Sequence, residues 1–287
     1  MWTNLATLVR YRGLIRSLVA RELTARYRGS VLGFFWSFVN PLMLLSIYSF
    51  VFTQILQNKD DIQPYALFMF CGLLPWTWFS SSLNEAAGSL ISGSNLIRKV
   101  LFPAEVLPIV SVLANLVHFF LGLLILAAFF VGLKYTPDWG DLIWLPLVVV
   151  IQLIFTAGLA LALAALTVHF RDIRDLLSNL LTFWFFATPI IYYYDGLAVR
   201  KWKWLFNLNP FFHLSVSYQE ILFFHPESAA ARAAQGLPPV PAILSIPSPF
   251  IEGHLYWLLV FGVISVGVFL AGYWLFDRLR DSFAEVV

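Results

Sequence analysis

Lys59, Lys99, Lys134, Lys201 and Lys203 are the first residues to weigh, because a lysine closing a glycine-rich turn is what cradles nucleotide phosphates. None of the five follows a glycine, so the Gly-x-x-x-x-Gly-Lys-Ser/Thr loop is absent and the chain does not bind ATP in that way. His-Glu-x-x-His and Gly-x-Ser-x-Gly are missing as well, which removes the common routes to metal-assisted and serine hydrolysis. Cys71 is a lone cysteine and cannot form an intrachain disulfide, and no Cys/His cluster has metal-ligand spacing. His118 is the one ionisable side chain deep inside an apolar stretch, where it is either a proton relay or a hydrogen-bonded packing residue.

The elements that hold these residues follow from composition. Of 287 residues, 60% are hydrophobic, 17% aromatic and 12% charged, whereas a soluble domain carries about 25% charged residues. Eighteen Lys and Arg against sixteen Asp and Glu give a net charge of +2, which excludes a basic nucleic-acid binder and a disordered chain. Six stretches lack Asp, Glu, Lys and Arg: 29–58, 62–84, 106–133, 142–170, 176–194 and 253–276. A helix needs about 20 residues to cross the hydrocarbon, so these predict six spans, at about 32–56, 63–84, 108–133, 142–168, 176–194 and 254–276. Barrel-type alternation is absent, which leaves an all-α integral membrane protein.

Twelve of the eighteen basic residues fall in segments on one side when the N-terminus is placed inside, so both termini are expected in the cytoplasm. Residues 1–28 read as a separate N-terminal element. Leu5, Leu8, Val9, Ile15, Val19 and Leu23 share a broad face of an interfacial amphipathic helix, although a plain positive flank that sets topology also fits. Between the fifth and sixth spans, residues 195–252 are too long for a turn and too apolar for a solvated loop. They predict two short half-inserted helices, one on each side of Pro210, at the outer surface, acting as a gate or only filling space.

Three motifs, in order, carry a family resemblance. The run Arg21-Glu22-Leu23-Thr24-Ala25-Arg26-Tyr27-Arg28-Gly29-Ser30 enters the first span, and Asn40-Pro41 lies within it. Asn95-Leu96-Ile97-Arg98-Lys99-Val100-Leu101-Phe102-Pro103-Ala104-Glu105 joins spans two and three. Arg171-Asp172-Ile173-Arg174-Asp175 follows span four, with Thr188-Pro189-Ile190 and Asn207-Leu208-Asn209-Pro210 beyond it. Together they resemble the permease subunits of ABC-2 type exporters of lipid-linked polysaccharides, the family of capsule, O-antigen and teichoic-acid export.

The resemblance implies six membrane helices over 29–287, an interfacial helix before them and re-entrant helices between spans five and six. It implies a homodimer in the cytoplasmic (inner) membrane, paired with two copies of a nucleotide-binding ATPase subunit. ATP and Mg would be bound by that partner, with no cofactor in this chain. The segment 85–105 is then the coupling segment, with Ala86–Ile97 as a short helix that Pro103 stops and Asn95, Arg98, Lys99, Phe102 and Pro103 as contacts. Arg171 and Arg174 form either a second ATPase contact or a topogenic turn. Arg21, Arg26 and Arg28 are candidates for an anionic lipid head group, since guanidinium matches phosphate bidentately; membrane phospholipid or Glu22 could equally claim them.

Aromatic rings offer C–H stacking to sugars. On helical projections Phe34, Phe38, Tyr48 and Phe52 form one stripe, and Trp184, Phe185 and Tyr192 another, so these seven are expected to line a glycan path or else to pack against lipid and neighbouring helices. Span four carries Thr156, Ala157, Gly158, Ala160, Ala162, Ala164 and Ala165, small residues suited to close helix packing. Rival functions are a passive channel or ion-coupled carrier, which needs an ion site in the spans, and an intramembrane enzyme on lipid-linked sugar, which needs a carboxylate or metal constellation. Neither constellation is present in the sequence.

Overall fold

The structure is a computed structural model, and it describes residues 10–26, 28–30, 33–51, 65–97, 102–133, 139–192, 201–223, 254–280 and 283. Helices and turns make up these residues, with no strand among them. In chain order the helices are α1 (Arg12–Arg26), α2 (Trp36–Phe50), α3 (Tyr65–Ser92), α4 (Ser94–Ile97), α5 (Val106–Gly132), α6 (Trp139–Leu142), α7 (Leu145–His169), α8 (Ile173–Phe186), α9 (Lys203–Asn207), α10 (Pro210–Leu222) and α11 (His254–Leu279).

Four helices, α3, α5, α7 and α11, are long and apolar enough to cross a membrane, so the chain is a multi-pass membrane protein. The other two expected spans are shorter within the described residues. The 15 residues of α2 and the 14 of α8 reach about 22 Å and about 21 Å at 1.5 Å per residue, below the ~30 Å of hydrocarbon. Residues 52–56, which would complete the first span, lie outside the described residues. α8 instead stops because Pro189 cannot continue it: Ala187 is its C-cap, and a turn follows through Thr188 to Ile190.

α3 is the axis of the bundle, packed by α5, α7, α8 and α10, while α11 lies along α7. Its 28 residues, about 42 Å, run past the expected boundary at residue 84. The expected short helix Ala86–Ile97 is therefore divided: 86–92 is the last part of α3, and after Gly93 only the single turn α4 remains. Residues 98–101, between α4 and Pro103, lie outside the described residues, and the Pro103 carbonyl accepts from the Val106 N–H (3.1 Å), so Pro103 leads into α5.

α1 packs against protein. Tyr11, Leu14, Ile15, Leu18 and Val19 recur at helical spacing and lie on Val106 and Val110 of α5, with Leu18 buried. Leu14 and Leu18 were not in the face read from sequence, and Leu5, Leu8 and Val9 lie outside the described residues. The chain leaves α1 through Gly29 (φ +81°) and Gly33 (φ +51°), left-handed conformations that let it turn sharply into α2.

Two short helices do flank Pro210, and α10 is packed inside the protein. Twelve of its thirteen residues are buried, among them His213, Ser215, Ser217, Gln219 and Glu220, and it packs on α3, α7 and α11. α9 keeps Trp204 and Leu205 exposed. Residues 224–253 lie outside the described residues.

Candidate functional site at the basic end

Segments of α1, α3, α5 and α8 converge around a polar cavity of about 840 Å³, lined by Arg21, Glu22, Glu85, Asn95, Arg174 and Asp175 among others. Residues placed by sequence in separate roles are thus neighbours here. Arg21 comes from α1, Asn95 from α4 and Arg174 from the first turn of α8. The guanidinium of Arg174 lies over α3, 3.9 Å from where a side chain at Gly88 would begin. Arg171 is exposed in the turn before α8, and its carbonyl accepts from the Arg174 N–H (3.3 Å).

Arg26 is committed elsewhere. Its Nη2 donates to both Oε1 and Oε2 of Glu85 (2.8 Å each), and its Nη1 donates to Asn115 Oδ1 (3.3 Å). Asn115 Nδ2 closes the ring by donating to Glu85 Oε2 (2.7 Å) and to the Ser111 carbonyl (2.9 Å). Three helices meet in this clasp, α1 through Arg26, α3 through Glu85 and α5 through Asn115. A carboxylate so far along a membrane helix is tolerated because cation and amide partners satisfy it. In the sequence Glu85 marks the end of a charge-free run and opens the coupling segment, and Asn115 carries no expectation. A polar amide inside a 28-residue apolar stretch was the available signal.

Glu85 is about a third exposed, so the clasp is partly screened and its strength is moderate. Arg26→Glu and Glu85→Arg should each lower the thermal midpoint of the purified protein, and the double exchange should restore most of it, with a coupling of about 0.5–3 kcal/mol. Additive losses in that double-mutant cycle would mean that the clasp does not hold α1 in place.

Arg21 and Arg28, seven residues apart, border a second hollow of about 690 Å³, with Ala20, Leu23, Thr24 and Ala25 as its mostly apolar lining. Of the three arginines grouped by sequence, two therefore share this lipid-like recess and one is locked to α3.

The stretch after α4 is held from both sides. Phe102 is half-buried and packs against the α1/α5 cluster around Leu18 and also against a second cluster containing Leu90, Leu107, Phe276 and Phe283. Pro103 is buried. Glu105 is 3% exposed, with Arg280 Nη1 3.8 Å from its Oε2. Arg98 and Lys99 lie outside the described residues.

The aromatic candidates separate as well. Trp184 and Phe185 turn inward, with ring centroids 6.1 and 5.9 Å from Trp76, and Trp184 also lies 5.3 Å from Phe79. Phe38 and Tyr48 are half-buried on α2, and Tyr48 packs against the main core. Tyr192 donates its hydroxyl to the Phe186 carbonyl (3.2 Å) and has Phe206 at 6.1 Å. Phe52 and the side chain of Phe34 lie outside the described residues.

Comparison with known proteins agrees with this architecture. The family model for ABC-2 type transporters matches residues 13–223. The chain is 44% identical over 219 residues to an O-antigen export system permease protein of Myxococcus xanthus, covering 76% of this chain and 83% of that protein. It is 32% identical over 208 residues to the O-antigen export system permease protein of Klebsiella pneumoniae, covering 72% and 79%. To the polysialic acid transport protein KpsM of Escherichia coli it is 22% identical over 201 residues, covering 70% and 77%. A helical bundle with a docked basic N-terminal helix, matched over most of its length, settles the assignment: the chain belongs to the ABC-2 type transporter family of membrane proteins.

Proposed function

We propose that the chain is the membrane subunit of an ATP-driven exporter that moves a lipid-linked polysaccharide of the O-antigen or capsule kind across the cytoplasmic membrane. Two copies work with two copies of a separate ATPase, which binds the ATP and Mg, and both termini are cytoplasmic. The observation that carries this reading is the uncovered face of α2 and α8. On α2, Asn40 and Ser46 are exposed beside Met43, Ile47 and Phe50; on α8, Ser178, Asn179 and Thr182 are exposed beside Leu180 and Phe183. Polar side chains at membrane depth face protein or a water-filled cavity rather than lipid. A second copy set against these helices supplies that environment and leaves an uncharged passage, suited to sugars that present hydroxyls to polar groups and C–H faces to rings.

The basic end supplies the rest. Arg21 and Arg28 around the apolar hollow hold the phosphate of the lipid anchor while its chain lies in the recess. Asn95, Arg98, Lys99, Phe102 and Pro103 receive the motion of the ATPase; Arg174 shares the polar cavity with Asn95, and Arg171, exposed in the turn before it, makes a second contact.

Cells lacking the chain should accumulate the lipid-linked glycan on the inner leaflet, and co-expression of the chain with its ATPase should clear it. A triple Phe38→Ala, Tyr48→Ala, Tyr192→Ala chain should still bind the ATPase but clear the glycan about tenfold more slowly, the loss expected for removing ring stacking at three positions. No accumulation in the deletion strain would refute the export reading. Normal clearance by the triple variant would assign those rings to packing alone.

A further inference from the structure

We propose that Asn209 is a positioning residue for transport: it pins the far end of α8 to the buried helix α10, so that α8 swings about that end while α10 stays fixed. The proposal rests on the transport reading above.

Asn209 uses its whole hydrogen-bonding capacity at this junction. Its Nδ2 donates to the Ala187 carbonyl (2.9 Å) and to Thr188 Oγ1 (3.0 Å). Its Oδ1 accepts from Trp184 Nε1 (2.7 Å) and from the Phe211 N–H (3.0 Å). A side-chain amide has two donors and two acceptor lone pairs, and here all four are used. One bond caps α10 and three reach α8 or the turn after it. Two further side chains secure the same turn: Gln219 Nε2 of α10 donates to the Pro189 carbonyl (2.8 Å), and the Tyr65 hydroxyl of α3 donates to the Ile191 carbonyl. Carbonyls freed where a helix ends are costly in an apolar setting, so each of these partners holds the turn firmly.

Along its length α8 is held far less. Leu177 and Leu181 are its only buried residues. α10, by contrast, is buried almost throughout against α3, α7 and α11. Within one copy, a rod thinly packed along its sides and tied at its far end to a fixed body turns about that tie. Its other end, at Arg174 and Asp175, follows the three-residue turn from α7 and lies in the polar cavity beside Asn95, where a push from the basic side arrives.

Asn209→Asp separates the two duties of the residue. Aspartate keeps the acceptor that caps α10, and is as good a cap, but it cannot donate to Ala187 or Thr188. Spin labels at Phe183→Cys on α8 and Leu208→Cys beside α10 report the pin directly, since both positions are exposed and Cys71, the chain's one native thiol, is buried. In the complex with the ATPase, in lipid nanodiscs, the native pair should give one narrow distance distribution with and without ATP. Asn209→Asp should broaden it, and export should fall about tenfold, within the range for a lost coupling, while ATP hydrolysis continues. An unchanged distribution with unchanged export overturns the proposal. Should Asn209→Asp fail to accumulate in the membrane, Asn209→Ser keeps a capping oxygen but lacks the amide donor and carries the same expectation, and a native distribution in it overturns the proposal equally. The label distances need no substrate, so failure of the wild-type complex to export a glycan would refute the proposed function without touching this test.

Discussion

With Phe102→Ala and Pro103→Ala in one chain, export should fall about 5- to 150-fold, the range for loss of a coupling between sites, while the partner continues to hydrolyse ATP. The expectation follows from how residues 102–105 are held. Phe102 is where the cluster under α1 meets the cluster formed by α3, α5, α7 and α11, so one ring reports to the N-terminal helix and to the C-terminal end together. Pro103 fixes φ next to it, and the Pro103 and Ala104 carbonyls accept from Val106 (3.1 Å) and Leu107 (3.2 Å), so the stretch is rigidly joined to the start of α5. Glu105 faces Arg280 on the other side, with 3.8 Å between Oε2 and Nη1. A displacement of Phe102 by the ATPase is thus passed to α1, α5 and α11 without a flexible link between. The membrane-spanning helices keep their own contacts, so the variant should reach the membrane in normal amount. Transport at the native rate by such a chain, measured against equal amounts of complex, would remove the coupling role from this stretch.

Much of this arrangement was legible in the sequence for one physical reason: hydrocarbon admits almost no charge. The runs 106–133, 142–170 and 253–276 mark α5, α7 and α11 to within a few residues. The same rule misled at Glu85. By that rule the charge ends a span at residue 84, yet α3 continues to Ser92 with Arg26 and Asn115 satisfying the carboxylate, and a partner 59 residues away leaves no local signature. Arg26 fared likewise, since a guanidinium that binds phosphate and one that binds a carboxylate look identical in one sequence. Trp184 and Phe185 fell on an aromatic stripe, but rings pack as readily inward as toward a passage, and Trp76, Phe79 and Phe211 draw them in. Asn209 was visible as the Asn-Pro entry to a helix, whereas its three bonds to α8 and the following turn arise only once the chain has folded back on itself.

Gly272→Ala should be the most damaging single methyl addition in α11. A Cβ there would lie 2.1 Å from the Gly158 carbonyl oxygen of α7, and a Cβ at Gly158 would lie 2.5 Å from the Cα of Phe269. The obstructing atoms are backbone on both sides, so no side chain can swing away and the helices themselves must part. Overpacking of this kind costs about 1–3 kcal/mol when side chains can yield. With backbone opposed, the upper end of that range is the floor, and a drop of at least about 6 °C in the thermal midpoint is expected. Gly267 supplies the internal control, for a methyl there meets nothing within 4 Å, and alanine is the better helix former. Gly267→Ala should therefore leave the midpoint unchanged or raise it slightly. Gly158→Ala should match Gly272→Ala, and the two together should cost less than their sum, because the first substitution already opens the gap the second needs. The loss should reach the basic end too: α11 carries Arg280 against Glu105 just past its last turn, so shifting α11 pulls on the stretch that holds Phe102. Equal stability of Gly272→Ala and Gly267→Ala would show that α7 and α11 do not approach this closely, and that the small residues of α7 serve some contact other than α11.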